Sequence, residues 1–259
     1  MRVVERFGAY GVACSDTKVL CQKNIGFEVG LLGVIPARGG SKGIFRKNIK
    51  YFCEKPLIAW TIEAALQSNC IDRLIVSTDD EEIASIAVGL GAEVPFLRPE
   101  SLATDATPGI IPALHALEKL PDYEWLMLLQ PTSPFRSHQD IDLIWEFCFA
   151  QQAASVVSIC EVQKHPYWMY QMDDDQRLTS FISDAPVVTR RQDFSPVYAV
   201  NGALYLAKSE WLSSRKSFIT DETLGYVMPP ERSVDLDNEL DWHWGEFLMG
   251  VFNQKTDLS

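Results

Sequence analysis

Five cations crowd one short segment: Arg38, Lys42, Arg46, Lys47 and Lys50, interleaved with Gly39, Gly40, Ser41 and Gly43. Glycines permit backbone angles that a Cβ forbids, so this loop can approach a polyanion closely. Its free N–H groups can form a concave nest for phosphate oxygens. The apolar residues Leu31, Leu32, Val34 and Ile35, ending at Pro36, read as a buried strand that empties into the loop. The chain carries a formal net charge of -12 over 259 residues, so cations packed this closely run against the local trend. A phosphate-rich small molecule accounts for them; the alternative is a solvated basic loop. The segment lacks the Gly-Lys-Ser/Thr ending of a Walker A loop and the G-x-G-x-x-G spacing of a dinucleotide fold.

A second constellation is Asp235-x-Asp237, whose carboxylates alternate with Val234 and Leu236. Residues i and i+2 of an extended segment point the same way, so both carboxylates can reach one hard cation. Mg²⁺ favours one or two carboxylates, with water and substrate phosphates completing its shell. The alternative is a helix cap, because Asp237-Asn238-Glu239 also reads as a helix start. Arg190-Arg191-Gln192-Asp193 offers guanidinium groups suited to a carboxylate, or a salt-bridged surface turn. His165-Pro166-Tyr167-Trp168 could stack on a sugar or pack at an interface. His115, on an apolar helix, reads as structural. Ser41 has no His or Asp support in sequence, so transfer by positioning and charge neutralisation fits better than a covalent route.

The elements that must hold these groups alternate from Leu31 onward. Strands are expected at Leu31–Pro36, Leu74–Ser77, Glu93–Leu97 and Trp125–Leu129. Helices are expected at Pro56–Leu66, Glu81–Leu90, from Thr107-Pro108 through Leu120, and at Asp140–Phe149. This alternation implies βαβ units and a mostly parallel sheet with helices on both faces. Ligands in such sheets bind beyond the carboxyl ends of the strands. The polar clusters 38–48, 78–80 and 130–133 all follow strands and should converge on one rim. After Ala154 the pattern changes: strands are expected at Val156–Ile159 and Tyr198–Leu206, an irregular aromatic stretch at 165–193, and a last helix at about 238–249.

The acidic balance argues against nucleic-acid or anionic-membrane partners. No apolar run approaches the roughly 20 residues of a membrane helix. Six scattered cysteines form no C-x-x-C pair, which argues against zinc and fits free thiols in a reducing cytoplasm. Residues 1–30 lack periodicity and the uninterrupted apolar core of a signal peptide. They are expected to be a poorly ordered extension or a gene-model artefact, ahead of a domain at 31–250 and a tail at 251–259.

Ile-Pro-Ala-Arg-Gly-Gly-Ser-Lys-Gly-Ile with Arg-Lys-Asn (35–48), Val-Ser-Thr-Asp (76–79), Leu-Arg-Pro-Glu (97–100), Leu-Gln-Pro-Thr-Ser-Pro (129–134), Arg-Arg-Gln-Asp (190–193), Val-Asn-Gly (200–202) and Ser-Val-Asp-Leu-Asp (233–237) occur in order. Together they resemble the acylneuraminate cytidylyltransferase family, the CMP-sialic acid synthetases, over roughly 31–250. The resemblance implies an α/β fold of the nucleotide-diphospho-sugar transferase type: a three-layer sandwich on a mostly parallel sheet. It implies a homodimer through a small lobe at about 140–190. It implies that CTP and a nine-carbon 2-keto sugar acid, sialic or legionaminic, give the CMP-sugar and pyrophosphate, with Mg²⁺ as cofactor. By motif position, Arg38, Ser41, Lys42 and Lys47 would serve the triphosphate, and Asn48 and Arg98 the cytidine. Gln130, Arg191 and Asn201 would serve the sugar, and Asp235 and Asp237 the metal. Arg38, Lys47 and the two aspartates form the catalytic set.

Two positions depart from the family. Phe45 stands where members usually carry proline, and Ala199 where many N-acetylneuraminate enzymes carry arginine. The Arg-Arg-Gln-Asp and His-Pro-Tyr-Trp stretches resemble relatives that act on legionaminic-type sugars. The competing readings are a non-catalytic nucleotide binder of the same fold and a nucleotidyltransferase for another sugar.

Overall fold

The computed structural model describes residues 30–40, 43–183 and 194–256. Its frame is a six-stranded sheet built from β1 (Leu31–Pro36), β4 (Arg73–Ser77), β5 (Trp125–Leu129), β6 (Ser155–Glu161), β9 (Tyr198–Lys208) and β10 (Leu224–Val227), in the order β10-β6-β9-β5-β1-β4. β1 pairs in parallel with β4 and β5, and β10 with β6. β9 alone runs against its two neighbours. The sheet is therefore mostly parallel, as the alternating pattern required.

Helices cover both faces, and the strand alternation shows why. Leu31 and Ile35 of β1 and Trp125, Met127 and Leu129 of β5 point into one apolar layer. That layer is completed by helices α1 (Leu57–Gln67), α2 (Glu81–Gly89) and α4 (His138–Ala150). Leu32, Val34, Leu126 and Leu128 point the other way, against α3 (Ile111–Lys119) and α5 (Ser209–Arg215). Strands buried on both faces read as near-continuous apolar runs for this reason. The result is a three-layer sandwich.

A third, smaller core lies beside the sandwich. The hairpin β2 (Tyr51–Phe52) and β3 (Lys55–Pro56) leads into α1, and α6 (Glu239–Thr256) folds over it. Phe52, fully buried, meets Trp242, Phe135 and Trp60 edge-on at ring separations of 5.3, 6.1 and 6.3 Å. Leu236 is buried in the same cluster, which fixes the chain between the two aspartates.

Local differences from expectation have local causes. Glu93–Leu97 makes only single bridges, Ile75 with Glu93 and Thr78 with Leu97, instead of a strand. α3 begins at Ile111, three residues past Pro108, so Pro108 and Gly109 remain in a loop. α4 and β6 belong to the main layers, while the hairpin β7 (Tyr170–Met172) and β8 (Leu178–Ser180) pairs apart from the central sheet. His165 stacks on Phe194 at 4.4 Å beside Tyr167, so this aromatic group packs on itself.

Candidate active site

The three polar clusters do meet on one rim. β5, β1 and β4 are adjacent and parallel, so the segments after Leu129, Pro36 and Ser77 emerge side by side. The Gly-rich loop is tied to the segment after β4. The Ala37 N–H donates to the Ser77 carbonyl at 3.0 Å, and the Gly39 N–H to Asp79 Oδ1 at 3.1 Å. Arg46 adopts the left-handed conformation, φ 49°, and its Nη2 reaches Asp80 Oδ1 at 3.0 Å. Asp80 also caps α2 through the Ile83 N–H at 2.9 Å. Burial raises the Asp80 carboxyl, but the hydrogen bonds from Ile83 and Arg46 outweigh it and hold the group below the usual carboxylate value.

An open cleft of about 420 Å³ lies on this rim. Arg38, Lys47, Asn48, Arg98, Gln130 and Asp237 all line it. Asn48 is held in place by donating Nδ2–H to the Arg38 carbonyl at 3.0 Å. Arg98 is buried near Asp79, 3.8 Å away, and burial lowers its guanidinium pKa. The far wall is the loop Leu102–Gly109, which the sequence reading did not assign to the site. Asp105 of that loop pairs with Arg38 Nη1 at 2.7 Å. The signal that could have found it is the Thr-Pro-Gly at 107–109, a helix start displaced into a loop.

A second cleft adjoins the first. Gln130, Asn201, Gly202, Tyr205, Asp235 and Asp237 are among the residues that line it, so Gln130 and Asp237 belong to both. Gly202 has φ +79°, and a Cβ there would meet Gln130 Oε1 at 3.0 Å and Asp235 Oδ2 at 3.4 Å. The missing side chain thus leaves room for both groups to approach. Asn201 lines this cleft, but its amide is engaged inside the protein. Its Oδ1 accepts from the Ser158 hydroxyl at 2.6 Å and the Ala203 N–H at 3.1 Å, and its Nδ2 donates to the Ser233 hydroxyl at 2.9 Å.

The aspartate pair reaches this seam from the far end of the chain. The Leu236 N–H donates to the Thr132 carbonyl at 2.9 Å, which lays residues 235–237 against the segment after β5. Lys47 Nζ contacts Asp237 Oδ1 at 2.9 Å. Asp235 is more enclosed, and its Oδ1 is buried without a hydrogen-bond partner. Its carboxyl is pushed up to about 6, by burial first and by Asp237 and Asp241, against a Thr132 hydrogen bond and Lys47. An unpartnered buried carboxylate oxygen beside a second carboxylate is a donor set suited to one hard cation that keeps water or phosphate ligands. Among the described residues no cluster of three or more His, Cys, Asp or Glu could enclose a metal alone.

The structure therefore brings together Arg38, Lys47, Asn48, Arg98, Gln130, Asn201, Asp235 and Asp237. Ser41, Lys42 and Arg191 lie outside the described residues. Phe45, where the resemblance expects proline, is 84% exposed while its neighbour Ile44 is buried, so its ring lies in solvent at the edge of the loop.

Comparison with known proteins shows the family and the fold. The chain is 37% identical over 233 residues to a CMP-N,N'-diacetyllegionaminic acid synthase of Legionella pneumophila, covering 87% of this chain and 98% of that protein. It is 37% identical over 230 residues to an N-acylneuraminate cytidylyltransferase of Escherichia coli, covering 88% of this chain but only 54% of that longer protein. A CMP:2-keto-3-deoxy-manno-octonic acid synthetase, solved in complex with CTP, superposes with a TM-score of 0.65 at 15% identity over 85% of this chain and 98% of that one, and so shares the fold. A cytidylyltransferase family profile matches residues 32–226, and with it the chain belongs to the cytidylyltransferase family, enzymes that transfer a nucleotidyl group.

Proposed function

We propose that this protein joins CTP to a nine-carbon 2-keto sugar acid, of the legionaminic or sialic type, to give the CMP-sugar and pyrophosphate. The observation that carries the reading is the seam at Gln130 and Asp237, where a cleft of cations meets a cleft of polar and acidic groups. The likeness to the legionaminic acid synthase over nearly its whole length supports the sugar class. So does Ala199 in place of the arginine found in many N-acetylneuraminate enzymes.

Both substrates are anions and repel each other, so the protein must neutralise charge and align the reacting atoms. Arg38 and Lys47 face the triphosphate, with Ser41 and Lys42 assigned to the same loop. Asn48 braces that loop, and Arg98 presents buried donors to the cytidine. Gln130 and Arg191 orient the acid sugar. Asn201 shapes the sugar cleft by holding Gly202 and Ser233 in place. The anomeric hydroxyl of the sugar attacks the α-phosphorus in line and gives up its proton to water; the new P–O bond forms as the bond to the β-phosphate oxygen breaks and pyrophosphate leaves. Asp235 and Asp237 would hold Mg²⁺. When bound, that ion neutralises charge on the phosphates and the leaving group. The Lys47–Asp237 contact holds the second carboxylate towards the first cleft until the triphosphate arrives.

The exposed Tyr170, Met172, Leu178 and Phe181 on and beside the β7–β8 hairpin form the face through which we propose that a homodimer assembles. No helix among the described residues is long and apolar enough to cross a membrane, and the proposed site of action is the cytoplasm. The test is pyrophosphate release with CTP, Mg²⁺ and a panel of nonulosonic acids. Turnover with legionaminic-type or sialic acids supports the reading. Turnover only with UTP or ATP, or with none of the acids, overturns it.

A further inference from the structure

The β5–β9 ladder ends abruptly beneath the site. Its last pair is Leu129 with Leu204. The next residues, Gln130 and Ala203, should face each other but do not pair. The Ala203 N–H is taken by Asn201 Oδ1 at 3.1 Å. One nitrogen spans the two carbonyls: Arg136 Nη1 donates to the Gln130 carbonyl at 3.2 Å, which also accepts from the Thr61 hydroxyl and the Ser133 N–H, each at 3.4 Å, and to the Ala203 carbonyl at 2.9 Å. Arg136 is 2% exposed, and its Nε and Nη2 have no hydrogen-bond partner. On the other edge of β9, the β6 pairing slips between Val157 and Ile159, where Ser158 Oγ reaches Asn201 and the Leu204 N–H.

A buried cation with unused donors is costly. Here it sits where two strands part. Beside that parting lie Gln130, which lines both clefts just past β5, and Gly202 within β9, whose missing Cβ lets Gln130 and Asp235 approach. We infer that Arg136 is a positioning residue: its guanidinium sits as a wedge between the end of β5 and the Ala203 carbonyl within β9, holds the two strands apart there, and so sets the seam across which the acid sugar meets the nucleotide. The kinetic part of this inference rests on the proposed substrates; the wedge itself does not. Burial lowers the guanidinium to about 10, which leaves it charged at neutral pH, with Asp140 nearby opposing the shift.

The test uses Arg136→Met and Arg136→Lys in the full chain. One Nζ can in principle serve both carbonyls, as one Nη does now, so lysine should partly restore what methionine removes. The methionine variant is expected to lower kcat about 100-fold and to raise the sugar KM about tenfold, the scale expected for a misplaced reacting group. CTP affinity, measured by calorimetry, should stay within about twofold, because Arg38 and Lys47 follow β1 and Arg98 follows Leu97, none of them on β5 or β9. Lysine should recover about tenfold of the kcat loss. Amide exchange at 200–204 and 130–133 should quicken while the rest of the β5–β9 ladder is unchanged, and this readout needs no substrate.

A purely structural role would lower the melting temperature yet leave KM and kcat of the folded enzyme intact, and would overturn the inference. So would unchanged exchange at these segments, or a loss of CTP affinity as large as that for the sugar. If the methionine variant does not fold, the lysine variant alone decides by the same readouts. A wild-type enzyme inactive on every acid sinks the substrate reading, and exchange then still decides the wedge.

Discussion

Lys47 Nζ lies 2.9 Å from Asp237 Oδ1, although 190 residues separate them in sequence. This contact closes the cation-rich loop after β1 onto the aspartate pair that precedes α6. Asp237 is 69% exposed on its side chain and Lys47 14%, so the pair adds little stability as an isolated surface ion pair. Its consequence is geometric: it sets the distance between groups that must grip one triphosphate.

Asp237→Asn should lower kcat about 1,000-fold, equivalent to about 4 kcal/mol of transition-state stabilisation. CTP affinity should fall mainly when Mg²⁺ is present. Steady-state kinetics and calorimetry with and without chelator check this; near-normal kcat would remove Asp237 from the metal site.

Asp235→Asn should stabilise the metal-free protein while abolishing turnover. The folded carboxyl sits at about 6 against 3.8 for the free group. Below 3.8 both folded and unfolded chains hold the proton and nothing is lost. Between 3.8 and about 6 the folded state holds a proton that the unfolded state has released, so stability falls as pH rises through this window. Above it the buried charge costs about 3 kcal/mol. Denaturant titration in chelator at neutral pH should show the variant more stable by about that amount. The difference should vanish near pH 3.

Asp80 behaves oppositely. Its folded pKa is depressed, so its stabilisation is present above its free value of 3.8 and is lost as pH falls through the folded pKa. Asp80→Ala should cost about 1 kcal/mol at neutral pH through the lost α2 cap. It should also raise the CTP KM, because Arg46 would keep only its contact with Glu82 Oε2 at 2.9 Å and lose its fixed place in the loop. Thermal melts at two pH values and CTP titrations check both effects.

Leu236→Ala should destabilise by about 2–5 kcal/mol, because its side chain fills the third core against Phe52 and Trp242. In the fraction that stays folded, Mg²⁺ dependence should shift to higher concentration, since both flanking aspartates lose their anchor. A stability loss with unchanged Mg²⁺ dependence would separate packing from metal binding.

Much of this arrangement was legible in the residues. The β1, β4 and β5 runs stand out because both faces of each strand are buried, and their order on one rim follows from parallel pairing. The Asp235–Asp237 pairing was visible as a spacing, but its anchor was not: Leu236 is an ordinary leucine until Phe52 and Trp242 close over it. Helix α5 and strand β10 were missed because each is short, seven and four residues, with weak periodicity. The loop Leu102–Gly109 was hidden because Thr107-Pro108 looks like a helix start, whereas α3 begins at Ile111. Arg136 was equally silent, since nothing in Ser-Pro-Phe-Arg reveals that its charge is buried between the end of β5 and the middle of β9.

The measurement closest to the central claim is a crystal structure with CTP and Mg²⁺ bound. The account predicts the triphosphate between the Arg38–Lys47 loop and Asp237, with a metal about 2.1 Å from carboxylate oxygens of Asp235 and Asp237. A triphosphate on another surface, or a metal held without either aspartate, would contradict it.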